Sequence, residues 1–268
     1  METVEAGNIL VFDSGIGGLT IAREIRAMAP MVKVNYAADT GFFPYGEKSD
    51  AALQDRLPRI AEALVEAART DVFVIACNTA STLALDAVRA KLTIPVVGTV
   101  PAIKPAVAVS RSKTIGLLAT PGTIRRDYTA QLVAKYAGDA TIVMHGSLSL
   151  VHMAEAIAAG EPVALEAFRE VVRPLFEADT QGHMDTIVLA CTHFPLVRGE
   201  LAASVPRPVH FIDSGEAIAR QTLRVLPHKP TSLAPSGHVW LSGHTDPASR
   251  VIEVARRFGF DKVGRVML

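Results

Sequence analysis

The residues best suited to chemistry are two cysteines, Cys77 and Cys191, the only ones in the chain. Each follows a run of apolar, largely β-branched residues and an alanine, and each leads into small polar residues. The two stretches read DVFVIACNTAS over 71–81 and DTIVLACTHFP over 185–195. A thiol can be a redox partner, a soft metal ligand, a nucleophile or a proton carrier. A redox pair normally sits as C-x-x-C on one turn, whereas these cysteines lie in different halves of the chain. A metal site made of both cysteines and His193 has three ligands and no zinc-type spacing. A Cys191–His193 nucleophile pair for acyl transfer leaves Cys77 without a task. Both cysteines could also be core residues, since buried cysteines are common.

The repeated polar exits favour a fourth reading, two thiols acting as paired acid and base. Inverting a stereocentre removes a proton from one face and delivers one to the other. One sulfur begins as thiolate and the other as thiol, and they exchange states in each turnover. A free thiol with a pKa of roughly 8.5 can play either part near neutrality. Asp13 and His193 are the candidates to take or hold the protons.

These groups need elements to position them. Residues 72–76 read as a strand buried on both faces of a parallel sheet, which places Cys77 at the sheet's carboxyl edge, where open α/β sheets bind ligands. An earlier strand over 8–12 runs into Asp13-Ser14-Gly15-Ile16-Gly17-Gly18 and a helix over 19–28. That glycine spacing fits neither the Walker loop nor the dinucleotide fingerprint, and Asp13 would repel a phosphate, so a carboxylate-binding turn is expected. A strand over 33–37 precedes the loop DTGFFPYG over 39–46. A helix over 49–68 is expected to break or kink at Pro58. A helix over 81–91 and a strand over 94–98 follow, then a crossing between halves over 99–105.

The second half repeats the scheme. A strand over 114–119 reaches Thr120-Pro121-Gly122-Thr123 and a helix over 124–136. A strand over 141–145, a helix over 148–159 carrying His152 and Glu155, and a helix over 161–176 precede the Cys191 strand. A strand over 209–212 ends at Asp213. The Asp13, Cys77 and Gly98 turns recur at similar spacing at Thr120, Cys191 and Asp213, which points to an internal duplication. A helix from Ser214 to about Leu226, a linker with Pro227, Pro230 and Pro235, a strand over 239–242 and a helix over 247–258 complete the reading. The expected fold is α/β, two similar doubly wound lobes with mainly parallel sheets and the active site in the cleft between them. The first lobe takes 1–99 plus 214–268 and the second 100–213.

Composition narrows the class. Basic and acidic residues balance at 27 each, and no basic run offers a nucleic-acid surface. Two cysteines in 268 residues argue against a disulfide framework. Residues 1–7 lack the charged and apolar regions of a signal peptide, and no apolar run approaches membrane-spanning length. A cytoplasmic protein with reduced thiols is expected. Nicotinamide and ATP motifs are absent, and no lysine stands at a strand end for a pyridoxal Schiff base. Neither a cofactor nor a metal is expected.

DSGIGG at 13–18, FPYG at 43–46, ACNTAS at 76–81, ATPGTI at 119–124 and ACTHFP at 190–195 together resemble the glutamate racemases of the Asp/Glu racemase superfamily. The resemblance extends along essentially the whole chain. It implies a cofactor-independent two-base racemase that interconverts L- and D-glutamate and supplies D-glutamate for peptidoglycan. Cys77 and Cys191 match the bases and Asp13 and His193 the groups that assist them. Glu155 matches the acid of a second-lobe helix, and Asp39 the acid of the FPYG loop. Ser14, Pro44, Tyr45, Gly46, Asn78, Thr79, Thr120, Thr123 and Thr192 match substrate contacts, with Asp13 and His193. A homodimer is also implied, without membrane or nucleic-acid partner.

This chain departs from many relatives at Ala190 and Phe194, where Gly and Tyr are common, and at His152, where Pro is common. Its short leader implies no N-terminal arm of the kind found in relatives activated by a cell-wall precursor. An aspartate racemase of the same superfamily is one alternative. A non-catalytic two-lobed amino-acid-binding protein is another, though it leaves both cysteines without a role.

Overall fold

The segment NILVFD forms strand β1 (Asn8–Asp13), buried along its whole length. It lies between β2 (Lys33–Ala38) and β3 (Val72–Ile75), both parallel to it. The computed structural model describes residues 7–227, 237–243 and 246–267, so the leader 1–6, Pro230 and Pro235 lie outside the described residues. Helix α1 (Leu19–Met28) connects β1 to β2 and α2 (Asp50–Ala68) connects β2 to β3. Helix α3 (Asn78–Lys91) leads from β3 to β4 (Val96–Gly98). The chain then enters a second unit, residues 100–214, before returning at Gly215. Ser214 belongs to the second unit, where its hydroxyl donates to the Val100 carbonyl.

The second unit contains α4 (Ile103–Val109), β5 (Thr114–Ala119), α5 (Pro121–Arg125), α6 (Asp127–Tyr136), β6 (Thr141–Gly146) and α7 (Ser149–Ala159). It ends with α8 (Leu165–Ala178), β7 (Thr186–Ala190), α9 (Arg198–Ser204) and β8 (His210–Ile212). The returning segment adds α10 (Gly215–Val225), β9 (Gly237–Leu241), α11 (Asp246–Arg257) and β10 (Phe260–Arg265) to the first unit.

Among the described residues the first sheet runs β10-β9-β2-β1-β3-β4 and the second β6-β5-β7-β8, with every pairing parallel. In each lobe the first four strands take the spatial order second, first, third, fourth. The order reverses between the first and third strands, and there the loops leaving the carboxyl edge part to form a crevice. This is the architecture of two parallel α/β lobes expected from the sequence.

Packing explains why the strands are continuously apolar. Leu10, Phe12, Phe73 and Ile75 pack against Leu53, Leu57, Ile60 and Leu64 of α2 and Ala80, Ala84 and Val88 of α3. Each large apolar side chain buried here contributes about 1.5–3 kcal/mol. Helices α1 and α10 pack against each other within the same unit. In the second lobe Ile115, Leu117 and Ala119 of β5 share a core with Val188, Ala190, Ala102 and Ala106.

Several expected boundaries differ. Helix α2 runs unbroken through Pro58, which sits on its half-buried flank while Leu53, Leu57, Ile60 and Leu64 anchor the helix to the core. The helix expected over 124–136 is two helices, because Arg126 is extended (φ −81°, ψ 138°). The helix expected from residue 161 begins at Leu165. Gly160, at φ 86°, ends α7 in the left-handed conformation that glycine adopts without a Cβ penalty, and its N–H returns to Ala156 and Ile157. Strand β10 was not anticipated: FDKVGR is mostly exposed, being a charged edge strand without an apolar run.

Candidate active site

In the first lobe Asp13 ends β1 and Cys77 follows β3, its neighbour in the sheet, so both stand at the reversal of strand order. The Asp13 carboxylate is fully buried, and its Oδ1 accepts the Ser14 N–H (2.6 Å), the Gly15 N–H (3.2 Å) and the Ser14 hydroxyl (3.2 Å). These bonds fix the turn from β1 into α1. Gly18 lets α1 come this close: a Cβ there would lie 2.9 Å from the Cβ atoms of Ala76 and Asp13. Cys77 is the N-cap residue of α3 and its carbonyl accepts the Ser81 N–H at 2.9 Å. Its thiol therefore sits where the unpaired N–H groups of a 14-residue helix favour negative charge. Asn78 and Thr79 open that helix and are buried, and Asn78 Oδ1 has no hydrogen-bond partner. A buried amide oxygen without a donor costs free energy and is suited to a donor such as an ammonium group.

The loop after β2 completes this half. Phe43–Pro44 is a cis peptide, and a short 3₁₀ turn, Tyr45–Glu47, follows it. The ring of Tyr45 is buried in one cluster with Cys77, and its hydroxyl donates to Asp39 Oδ2 at 2.6 Å. Burial, then the Asp39 charge and this hydrogen bond, hold the phenol well above its ordinary pKa. The polar tip of Tyr45 is thus engaged inside the lobe. Gly46 lies in the same turn.

In the second lobe Ala190 ends β7 and Cys191 follows, beside β5, which ends at Ala119. His193 Nδ1 lies 3.9 Å from Cys191 Sγ, and His193 Nε2 lies 2.8 Å from Glu155 Oε1 of α7. All three side chains are buried. Burial alone would lower the imidazole pKa, but the hydrogen bonds to Cys191 and Glu155 and the Glu155 charge outweigh it and raise it well above the usual value. Sulfur, imidazole and carboxylate thus lie in one line of polar contacts, a geometry suited to passing a proton. Thr120 caps α5, with its Oγ1 accepting the Thr123 N–H at 3.4 Å and lying 3.0 Å from Thr123 Oγ1. Both threonines and Thr192 are buried near the same strand ends.

The structure therefore gathers Asp13, Ser14, Pro44, Tyr45, Gly46, Cys77, Asn78 and Thr79 at one edge of the first lobe. It gathers Thr120, Thr123, Glu155, Cys191, Thr192 and His193 at the matching edge of the second. Neither cysteine is in a disulfide. Among the described residues no group of three or more His, Cys, Asp or Glu side chains could hold a metal ion, and no helix is long and apolar enough to cross a membrane. The sequence reading missed Arg56 and Ser242, which bind Asp39. Arg56 is one charged residue among many on α2 and carries no motif, whereas Ser242, directly after a strand, could have been flagged by its place at the sheet's edge.

A thiol at the order reversal of each parallel sheet, with a buried carboxylate at the end of the adjacent strand in one lobe and an imidazole–carboxylate pair beside it in the other, is an arrangement suited to an acid–base isomerase. The chain belongs to the Asp/Glu/hydantoin racemase family, which matches residues 19–222. Within it, the chain is similar to a curated glutamate racemase of Salmonella gallinarum, 42% identical over 260 residues that span 96% of this chain and 91% of the relative. It is also similar in structure to Escherichia coli glutamate racemase in complex with L-glutamate and the activator UDP-MurNAc-Ala. That match has 41% identity and a TM-score of 0.91, over 98% of this chain and 99% of the other. Glutamate racemase from Francisella tularensis in complex with D-glutamate matches with 25% identity and a TM-score of 0.79, over 97% of each chain.

Proposed function

We propose that this protein is a glutamate racemase that inverts the α-carbon with two cysteine bases, Cys77 in the first lobe and Cys191 in the second. The observation that carries the reading is a cysteine after the third strand of each of two sheets with the same strand order, with Asp13 ending the strand beside Cys77 and His193 Nδ1 3.9 Å from Cys191 Sγ. Relatives at 41–42% identity bear the same activity in their names, one of them solved with L-glutamate, and a glutamate racemase at 25% identity is solved with D-glutamate.

In the proposed reaction one thiolate removes the α-proton and becomes a thiol. The electron pair left on the α-carbon is delocalised into the adjacent carboxylate, whose extra negative charge is met by hydroxyl and backbone donors at the strand ends. The opposite thiol then delivers its proton to the other face and becomes a thiolate. One proton leaves and one arrives, so no oxidant, reductant or net proton is needed. The two sulfurs finish in exchanged states. Asp13 serves Cys77, and His193, held by Glu155, serves Cys191. Asn78 Oδ1 suits the substrate ammonium. Ser14, Thr79, Thr120, Thr123, Thr192 and the Pro44–Tyr45–Gly46 turn supply the remaining contacts.

We place the product, D-glutamate, in supply for peptidoglycan, the enzyme in the cytoplasm, and its assembly as a homodimer. The lobes 1–99 with the return segment from Gly215, and 100–214, act as its two domains. Purified protein incubated with L-glutamate should yield D-glutamate, and the reverse, by chiral chromatography. L- and D-aspartate in parallel should remain unchanged. Inversion of aspartate with none of glutamate would overturn the substrate, and no inversion of any amino acid would overturn the reaction.

A further inference from the structure

Asp39 is a fully buried carboxylate at the carboxyl end of β2, and its N–H donates to the Asp13 carbonyl at 3.0 Å. Both its oxygens are occupied. Arg56 of α2 grips it with both edges, Nε to Oδ2 at 2.7 Å and Nη2 to Oδ1 at 2.8 Å. The Tyr45 hydroxyl reaches Oδ2 at 2.6 Å, and the Ser242 hydroxyl, just past β9, reaches Oδ1. The same guanidinium lies 4.9 Å above the Phe42 ring, which packs edge-on against Tyr45 at 6.3 Å. Arg56 thus touches Phe42 of the 42–46 loop directly and Tyr45 through Asp39. Tyr45 shares a packed cluster with Cys77, and its 3₁₀ turn packs on α3, the helix that Cys77 caps.

We propose that Arg56 is a positioning residue for the Cys77 half of the site. Acting through Asp39 and Tyr45, it holds the 42–46 loop against the thiol that abstracts or returns the α-proton. A bidentate fork fixes direction as well as charge, which a lysine ammonium does not. The buried carboxylate explains why an arginine is needed: without its partner, Asp39 would be a buried, uncompensated charge. The added strand β9 enters through Ser242, so the returning carboxyl-terminal segment helps to build the first half-site.

This rests on the racemase reading, and the test separates the two. Arg56→Lys keeps the charge and loses the fork. Turnover with glutamate should fall by up to about 10²-fold, the scale of a displaced catalytic geometry, with a thermal midpoint close to wild type. Limiting iodoacetamide with peptide mapping should show Cys77 alkylated several-fold faster than in wild type and Cys191 unchanged. Tyr45→Phe should move Cys77 in the same sense. The alkylation arm needs no turnover, so it judges Arg56 even if wild-type protein fails to racemise glutamate, which would count against the racemase reading alone. Wild-type alkylation of Cys77 in Arg56→Lys would overturn the positioning role. Equal acceleration at both cysteines, the sign of general loosening, would overturn it too.

Discussion

His193 Nε2 stands 2.8 Å from Glu155 Oε1, while the ring's other nitrogen faces Cys191 Sγ at 3.9 Å. The carboxylate fixes the imidazole's orientation and favours its protonated form. Glu155→Gln keeps the shape and removes the charge. Turnover should fall by about 10²-fold, the low end for a positioned acid–base group, with a much smaller change in KM. A change in KM alone would make Glu155 a binding residue.

The same pair sets a pH dependence of stability. The His193 pKa is raised in the folded protein, so the pair's stabilisation is complete below the unfolded value of about 6.5 and fades as pH rises through the raised folded value. Melting curves from mildly acidic to alkaline pH should show wild type losing its advantage over Glu155→Gln as pH rises. Parallel curves would mean that the imidazole does not titrate with the pair.

Asp13→Asn tests the other lobe. The amide oxygen can still accept the Ser14 and Gly15 N–H groups that Oδ1 now binds, so the turn should survive. Turnover should fall by roughly 10²–10⁴-fold if the carboxylate handles the Cys77 proton. Unaltered turnover with intact circular dichroism would reduce Asp13 to a turn former.

Gly18 is a position where a single methyl should disturb the first half-site. With Ala76 and Asp13 Cβ atoms 2.9 Å from the added Cβ, α1 must shift away from the strand ends. Gly18→Ala should cost about 1–3 kcal/mol in urea unfolding, as overpacking does, and should lower turnover. An unchanged midpoint would show that the helix moves at no cost.

The strands were legible because βαβ geometry demands apolar, β-branched runs ending in small or polar turns, and β1, β3, β5 and β7 all have them. The doubled topology was visible in the spacing of the Asp13 and Cys77 turns. The charged edge strand β10 was hidden because an exposed edge needs no apolar run. Resemblance marked Glu155 only as the acid of a second-lobe helix; that it meets His193, 38 positions away, is not written in the spacing. The Asp39 network was least legible, since Asp39, Arg56 and Ser242 come from three separate segments brought together only by packing.

A proton-transfer site built from thiols should depend on alkylation and not on chelation. Among the described residues no His, Cys, Asp and Glu cluster suits a metal ion. Dialysis against EDTA should leave racemisation intact, iodoacetamide should abolish it, and glutamate should slow the inactivation. Activity recovered only on adding zinc would contradict the two-thiol reaction.

The two thiols should also divide their labour by enantiomer. Enantiomers in water have equal free energies, so kcat/KM must be the same in both directions, and steady-state racemisation cannot reveal which base serves which face. Isotope exchange can. Resemblance to the glutamate racemases assigns Cys77 to D-glutamate and Cys191 to L-glutamate. Serine is a far weaker acid than cysteine, so Cys77→Ser and Cys191→Ser should each lose full inversion. In heavy water, however, Cys191 of the Cys77→Ser protein can remove the α-proton of L-glutamate. Its sulfur equilibrates with solvent and returns a deuteron to the same face. The product is α-deuterated L-glutamate of unchanged configuration. Cys191→Ser should deuterate D-glutamate instead. Each pure enantiomer with each variant, followed by mass spectrometry, gives four exchange rates. Two large and two small rates in the crossed pattern support two bases on opposite faces. Equal exchange of both enantiomers by a single variant would mean that one sulfur reaches both faces, and the second cysteine would then have no part in the chemistry.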